Sequence, residues 1–506
     1  MKAIYILVFS VLSTSILQAQ QITDGLRYST EQNIGTARFT ALSGAMGALG
    51  GDFSAMRVNP AGGAVFLLSN ISISPSLLDT KNNSSYFNNS ENSFSDNLYL
   101  SQAGGVFVFE NPYKESSFKK FTIGVNYDMT SGFDNKTYIA GRGNNSVSNF
   151  FLEQAQGMSL DLLQTQQGES ISDLYSYLGE TRGTSAQNAF LGYQAYLFDA
   201  LDPSNPSNSV YISNVSGNSF DQEYIDYSNG YNGKFTLNFA TQVANDFYFG
   251  VNLNTHSIFY EQSTFFVETN SNPGSIVTGI GFENNLTVNG TGVSAQVGAI
   301  ARVANNFRFG INLDTPTWYR ISETTSQYLE SRRKVNDRNT TTIIDPRILN
   351  IYEDYDLKTP GKLGASAAYV FNQNGLISID YSYKDYASME FKPSNDAHFR
   401  ELNRNIENSL KGASSFKAGA EYRIDQVSLR GGFHYEESPY KNKRTVGDLT
   451  GFSLGTGYNF GSWNMDFAYS RSEQDKELQF FPIGFTDKAM VNTVYSNYIL
   501  TISFNF

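Results

Sequence analysis

The sequence predicts an all-β fold: a transmembrane antiparallel β-barrel of about fourteen strands with a small N-terminal helical hatch inside its lumen. Three observations predict it. After Ser69 the chain reads as segments that alternate apolar and polar residues with a period of two, the signature of strands. The connections between these segments alternate between short and long. The stretch 35–66 lacks the alternation and is rich in small residues, with glycines at 35, 44, 47, 50, 51, 62 and 63.

Residues 1–19 have the pattern of a signal peptide. Lys2 supplies the positive end, Ala3 to Leu12 the apolar run, and Leu17-Gln18-Ala19 a small-residue cleavage site, so the mature chain is expected to start at Gln20. The chain has no cysteine, which excludes a lipoprotein-type anchor, disulfides and thiolate metal sites. No later run of about 20 apolar residues offers a membrane helix. A net charge of −12 argues against nucleic acid as a partner, since that role needs a basic face. With 39 Phe, 32 Tyr and only 17% charged residues, an exported chain is either a soluble β-protein or an outer-membrane barrel.

Residues 20–68 follow as the hatch. It carries Asn59-Pro60-Ala61 just before the first strand. Glycine and alanine let a short chain fold tightly in a confined space. Pro60 fixes its own backbone and biases Asn59 away from helix, leaving the Asn59 side chain to bond nearby backbone.

The barrel is assigned to 69–506, with strands at 69–78, 98–110, 118–139, 231–243, 246–268, 284–303, 306–328, 361–371, 376–391, 413–424, 427–437, 449–460, 462–472 and 494–505. Their faces separate a membrane barrel from a soluble sandwich. Tyr498, Leu500, Ile502, Phe504 and Phe506 share one face, opposite Asn497, Ile499, Thr501, Ser503 and Asn505. Phe307, Phe309, Ile311 and Leu313 share another, as do Phe121, Ile123, Val125, Tyr127 and Met129. These apolar faces, and those of Ile377, Ile379, Tyr381 and Tyr383 and of Val427, Leu429, Gly431, Phe433 and Tyr435, hold no charge, whereas the opposite faces carry Asp128, Arg308, Asp380, Arg430 and His434. A lipid-facing charge near mid-bilayer costs roughly 2–4 kcal/mol, while a lumen tolerates it. Short turns at 111–117, 244–245, 304–305, 372–375, 425–426 and 461 alternate with long polar loops, as in outer-membrane barrels. The terminal Phe506 resembles the end signal of such barrels, which implies the barrel-assembly machinery as a partner.

The loop 140–230 is too long to be plain connection. Its apolar clusters, Phe150 to Leu163, Ile171 to Leu178 and Phe190 to Phe198, have partly helical spacing. They form either an exposed ligand groove or a packed lid. Arg332-Arg333-Lys334, in the loop 329–360, is solvated or meets lipopolysaccharide. Outer-membrane lipids are the surrounding partners, and the barrel is expected to be a monomer.

The pieces Gly35-Thr36-Ala37-Arg38, Gly44-Ala45, Asp52 and Asn59-Pro60-Ala61-Gly62 resemble the N-terminal hatch of the FadL/OmpP1/TodX family of outer-membrane transporters for long-chain fatty acids and other hydrophobic molecules. The order of signal peptide, hatch and fourteen strands extends the resemblance over nearly the whole mature chain. The long loop after the third strand departs from the family pattern. The resemblance implies that ligand binding shifts the hatch and opens a lateral exit beside a kinked strand. Gly104-Gly105 is the candidate for that kink, since glycine within a strand marks a bulge or a close approach. The alternative is that these glycines pack against the hatch.

The expected function is passive uptake of long-chain fatty acids or similar hydrophobic small molecules through the outer membrane of a Gram-negative cell. Phe39, Leu42, Met46, Phe53, Met56 and Phe66 are candidates to line the ligand site, each buried methylene of the ligand contributing about 0.8 kcal/mol. For a carboxylate, Arg38, Arg57, Arg308 and Arg430 are the candidate cations; the alternative for each is a structural ion pair. No cofactor or metal is expected, because the three histidines, His256, His398 and His434, lack metal-ligand spacing. No enzymatic activity is expected either. The competing reading is a surface-binding protein on the same barrel, a haem-type receptor or an adhesin.

Overall fold

The computed structural model describes residues 21–113, 115–303, 306–336, 338–371 and 374–506. The expected signal segment 1–19 and the start at Gln20 lie outside the described residues. The wall is a ring of fourteen strands. They are β1 (Asn70–Tyr86), β2 (Asn89–Glu110), β3 (Phe118–Gly132, continued by Asn135–Gly143), β4 (Phe220–Val243), β5 (Phe247–Thr269), β6 (Val277–Arg302) and β7 (Phe307–Asp314, continued by Trp318–Val335). The ring goes on with β8 (Tyr355–Lys358, continued by Lys362–Phe371), β9 (Gly375–Asp385), β10 (Gly412–Ile424), β11 (Val427–Glu436), β12 (Val446–Asn459), β13 (Trp463–Gln479) and β14 (Lys488–Asn505). Each pairs antiparallel with the next, and β14 returns to β1, with Asn70 opposite Asn505. Closure leaves the wall no free edge, which suits a structure surrounded by lipid.

The alternating faces divide as their chemistry requires. Ile311, Ile379, Phe416, Leu429, Phe467 and Phe504 point outward and are exposed, while Asn312, Ser378, Asp128, Arg430 and His434 are buried inside. Rings gather where the strands meet the short turns: Phe460 stacks on Trp463 at 3.9 Å and Phe307 meets Tyr369 at 4.7 Å. Aromatic girdles of this kind mark the rims of membrane barrels. No described helix is long and apolar enough to cross a membrane.

Several segments expected as loop are strand. β1 and β2 run on through 79–97 and turn only at 87–88, and much of 329–360 pairs with β7. β6 has 26 residues, against about 9–11 needed to span a bilayer. Beyond the lipid a strand has no apolar face to keep, so its sequence there turns polar and reads as loop.

The other correction is Met129, assigned to the lipid face but buried. The pairing of β3 with β4 shifts register between Met129 and Ser131, which rotates the strand inward.

Inside the barrel lie α1 (Ile22–Ser29), α2 (Ala37–Ala41), α3 (Phe53–Val58) and a 3-10 turn (Pro60–Val65). α4 (Ser148–Ala155), α5 (Ile171–Arg182) and α6 (Thr184–Gln194) cover the long-loop end, and α7 (Ala397–Ser409) enters from the same side. The apolar residues of 140–230 form the packed lid. Phe151, Phe190 and Phe198 are fully buried in one core with Phe282 from the wall and Phe481 and Phe485 from the β13–β14 loop.

Candidate hatch and binding site

The hatch is made by local caps. The Thr36 side chain accepts from Phe39 N at the start of α2, Asp52 accepts from Ser54 N and Ala55 N at α3, and Asn59 accepts from Ala61 N at the 3-10 turn. Such caps satisfy amides that a short helix leaves free. Gly50 has φ +62°, and a Cβ there would lie 2.8 Å from Gly62 Cα, so the turn and the close approach both demand glycine.

Asn59 bonds the hatch to both β6 and β7. Its Nδ2 donates to Gly47 O at 2.8 Å, Ala299 O at 3.2 Å and Ile311 O at 3.3 Å. Pro60 O accepts from Asn238 Nδ2 at 2.9 Å. Ala61 is fully buried against Ala240, Tyr248 and Ile300. The wall meets the hatch with glycines: a Cβ on Gly298 would lie 2.0 Å from Asn59 Oδ1, and one on Gly250 2.3 Å from Pro60 O. Gly310 and Gly432 likewise abut hatch backbone at Gly47 and at Leu42–Ser43. These wall glycines escaped the sequence reading, which singled out only Gly104 and Gly105 in the wall. Their signal was glycine on the lumen phase of successive strands.

The six proposed lining residues hold the hatch to the wall. Phe39, Leu42 and Met46 pack with Leu49, Ala368 and Leu376; Phe53, Met56 and Phe66 pack with Val106. None of them lines the internal cavity described below.

The four arginines are occupied. Arg38 and Arg430 both pair with Glu421, at 2.9 and 2.7 Å, and Arg430 also reaches Asp466. Arg57 donates to Ile34 O and Met129 O, and Arg308 to Leu49 O.

The lumen-facing residues of β5 record what lies above the hatch. Gly250 and Asn252 touch the hatch, at Pro60 and at Met56 O. His256 lines a polar cavity of about 40 Å³ together with Glu31, Lys234, Asp314, Lys362 and Lys384. Ile258 and Tyr260 belong to an apolar layer with Leu26 of α1, Tyr319, Phe391, and Phe399, Leu402 and Ile406 of α7. Phe266 belongs to the lid core.

In the polar layer Lys362 Nζ lies 3.3 Å from Glu31 and 3.1 Å from Asp314. Lys384 Nζ donates to Ser29 O, and Lys234 Nζ to Gln296 Oε1 at 3.1 Å. The Glu31 side chain is 37% accessible, yet the space it faces is this internal cavity. Burial alone would push its carboxyl up; Lys362, Lys384, Lys234 and Arg57 hold it well below the usual carboxylate range. This lysine group was missed because its members are far apart in sequence and meet only when the barrel closes.

His256 bonds Ser294 Oγ at 2.9 Å, and His398 sits in α7 beside Phe399. Gly451-Phe452-Ser453-Leu454-Gly455 has the spacing of a nucleophile elbow but lies within strand β12, not at a strand-to-helix turn. Its Ser453 hydroxyl bonds Ser43 Oγ and Ala41 O.

Gly104 and Gly105 lie in unbroken pairing with both β1 and β3. A register shift lies nearby: the β1–β2 pairing shifts between Ser74 and Pro75, leaving Ser101 without a partner on β1. Pro75 within a strand was the signal for it. On the outer wall at the short-turn end, Phe109, Phe121, Phe239 and Phe249 border an apolar groove of about 610 Å³ in the lipid-facing belt.

Solved structures share this architecture. A toluene transporter of Pseudomonas putida, TodX, is 13% identical over 95% of this chain and 99% of its own, with a TM-score of 0.53. A Pseudomonas aeruginosa FadL homologue is 12% identical over 94% and 100%, with a TM-score of 0.50. At such identities the likeness is one of fold, and it is the fold expected from the hatch residues. No protein-family model and no curated protein matches the chain.

Proposed function

We propose that the chain is an outer-membrane channel for passive uptake of hydrophobic molecules that end in a carboxylate, long-chain fatty acids foremost, gated by movement of the hatch. One observation carries this reading: an aromatic-lined apolar layer lies directly above a lysine-lined cavity inside a closed, lidded barrel. The two layers match the two ends of a fatty acid. About 0.8 kcal/mol per buried methylene holds the tail, and ammonium groups hold the carboxylate through charge-assisted bonds. In this reading Lys234, Lys362 and Lys384, which line the cavity, take the cation role first assigned to the four arginines, none of which lines it. The chain itself now occupies both layers, with Leu26 and Tyr28 of α1 above and Glu31 below. A cavity of about 40 Å³ holds water but not a ligand, so binding displaces the segment around Glu31 and shifts the hatch behind it. The short-turn end faces the periplasm and the lid faces outward.

The test is uptake of labelled oleate and of an uncharged aromatic hydrocarbon by cells lacking their own transporter. The chain restores oleate uptake, and Asn59→Ala weakens it at equal surface expression. Lys384→Ala lowers oleate uptake while sparing the hydrocarbon. No uptake of either compound by a folded, heat-modifiable barrel rejects transport. Equal effects of Lys384→Ala on both compounds reject the carboxylate site.

A further inference from the structure

The lower end of α1 has the chemistry of the ligand proposed above. Leu26 and Tyr28 lie in the apolar layer, where the tail of a fatty acid would lie. Below them Ser29 O, one of the last carbonyls of α1 and so at the negative end of its dipole, accepts from Lys384 Nζ. Two residues on, the Glu31 carboxylate stands 3.3 Å from Lys362 Nζ. Apolar side chains above and a carboxylate below repeat the order of tail and head.

The charges around the cavity make Glu31 a rival to such a ligand. The lining carries three ammonium groups, Lys234, Lys362 and Lys384, against two carboxylates, Glu31 and Asp314. Asp314 belongs to the wall: it ends the lower part of β7, pairs with Lys362 at 3.1 Å and accepts from Asn312 Nδ2 at 3.2 Å. Glu31 belongs to the inner chain between α1 and α2 and reaches the lysine through its side chain alone. A ligand carboxylate that takes its place leaves the balance of charge unchanged. An uncharged ligand that takes its place leaves three ammonium groups facing one carboxylate in a buried space. Glu31 is also kept near. Gln32 N donates to Thr130 O at 2.8 Å, and the Gln32 side chain exchanges two bonds with Gly132, so the chain is tied to β3 one residue later. A carboxylate on so short a tether competes as if present at about millimolar concentration.

We propose that Glu31 is a specificity-determining residue: a tethered carboxylate that competes with the ligand's own for Lys362 and its neighbours, and so sets the shortest acid that can bind. The proposal rests on the carboxylate-transport reading above and adds the selection the site makes among carboxylates. Acetate and other short acids offer the lysines nothing that Glu31 does not already give them. Burial of the tail tips the exchange toward the free ligand, each methylene raising affinity about fourfold. Long-chain acids therefore pass a competitor that excludes short ones.

The test titrates straight-chain acids from butyrate to decanoate onto the full-length protein in nonionic detergent, followed by calorimetry. Glu31→Ala binds each acid about tenfold tighter than the parent, because apparent affinity is the intrinsic one reduced by the fraction of sites already occupied. The slope along the series is unchanged, so the variant's curve is displaced by about two carbons. Glu31→Gln, which keeps the size of the side chain but not its charge, shifts the series the same way, and Glu31→Asp stays near the parent. Acetate displaces octanoate from Glu31→Ala and not from the parent, and the uncharged acetamide displaces it from neither. Equal affinities in parent and Glu31→Ala overturn the proposal and leave the carboxylate site standing. Acetamide competing as well as acetate also overturns it, since Glu31 would then merely fill space. Acids that bind neither parent nor variant overturn the proposal together with the transport reading.

Discussion

Neighbouring glycines on β11 show how position decides the role of one residue type. A Cβ on Gly432 would lie 2.6 Å from Leu42 C and 2.7 Å from Ser43 N, both hatch backbone that cannot swing aside. A Cβ on Gly431 would meet nothing nearer than Leu454 Cδ2 at 3.7 Å. Gly432→Ala therefore costs about 1–3 kcal/mol by overpacking. Gly431→Ala is neutral or slightly stabilising, since alanine loses less backbone freedom on folding. The midpoints of heat-modifiability for the two variants check this, and a Gly432→Ala barrel as stable as the parent would show that the hatch does not press on the wall there. At this scale the sequence was only partly legible. Asn59 and Pro60 stand out as a turn-forming pair, but no residue by itself tells that Gly298 will face Asn59. Likewise Arg38 and Arg430 look like free lumenal cations until folding brings Glu421 between them.

Among the elements, the lid joins pieces the chain keeps far apart. Phe151 of α4 meets Phe282 of β6 at 5.1 Å, and Phe150 meets Phe481 of the β13–β14 loop at 4.8 Å. Phe151→Ala removes a fully buried ring at a cost of about 3–5 kcal/mol. The loss falls on the lid alone, because the β5–β6 pairing is held by its own ladder. Hydrogen exchange should speed up across α4–α6 and stay slow in β5 and β6; exchange that rises equally in both would mean that lid and wall unfold together. The helical spacing of 140–230 made the lid's helices legible, and the alternation of the lipid-spanning strands made the wall legible. The upper strands were not, because beyond the lipid nothing imposes an apolar face. The kink was expected at the glycines 104–105; the register shift nearest them falls at Pro75, which has no N–H to give the ladder.

The whole molecule is one solution to two solvents. Lipid outside demands an uncharged face, and a filled lumen inside admits Asp128, Lys234 and Glu421, each paired or hydrogen-bonded there. The division predicts a dependence on depth that a soluble β-protein would not show. Ile311 is 63% exposed on the outer face of β7, well into the strand, and Val303 is 69% exposed at the adjacent short turn. In water an arginine at either place would cost little. In a bilayer Ile311→Arg costs about 2–4 kcal/mol, and Val303→Arg, near the interface, about 0–1 kcal/mol. Urea titration of each variant folded into phospholipid vesicles measures the difference. A large gap between the two, narrowing in thinner vesicles as Ile311 comes nearer the headgroups, puts the aromatic-rimmed belt in lipid. Equal small costs would take the barrel out of the membrane, and with it the reading of the lumen as a path across one.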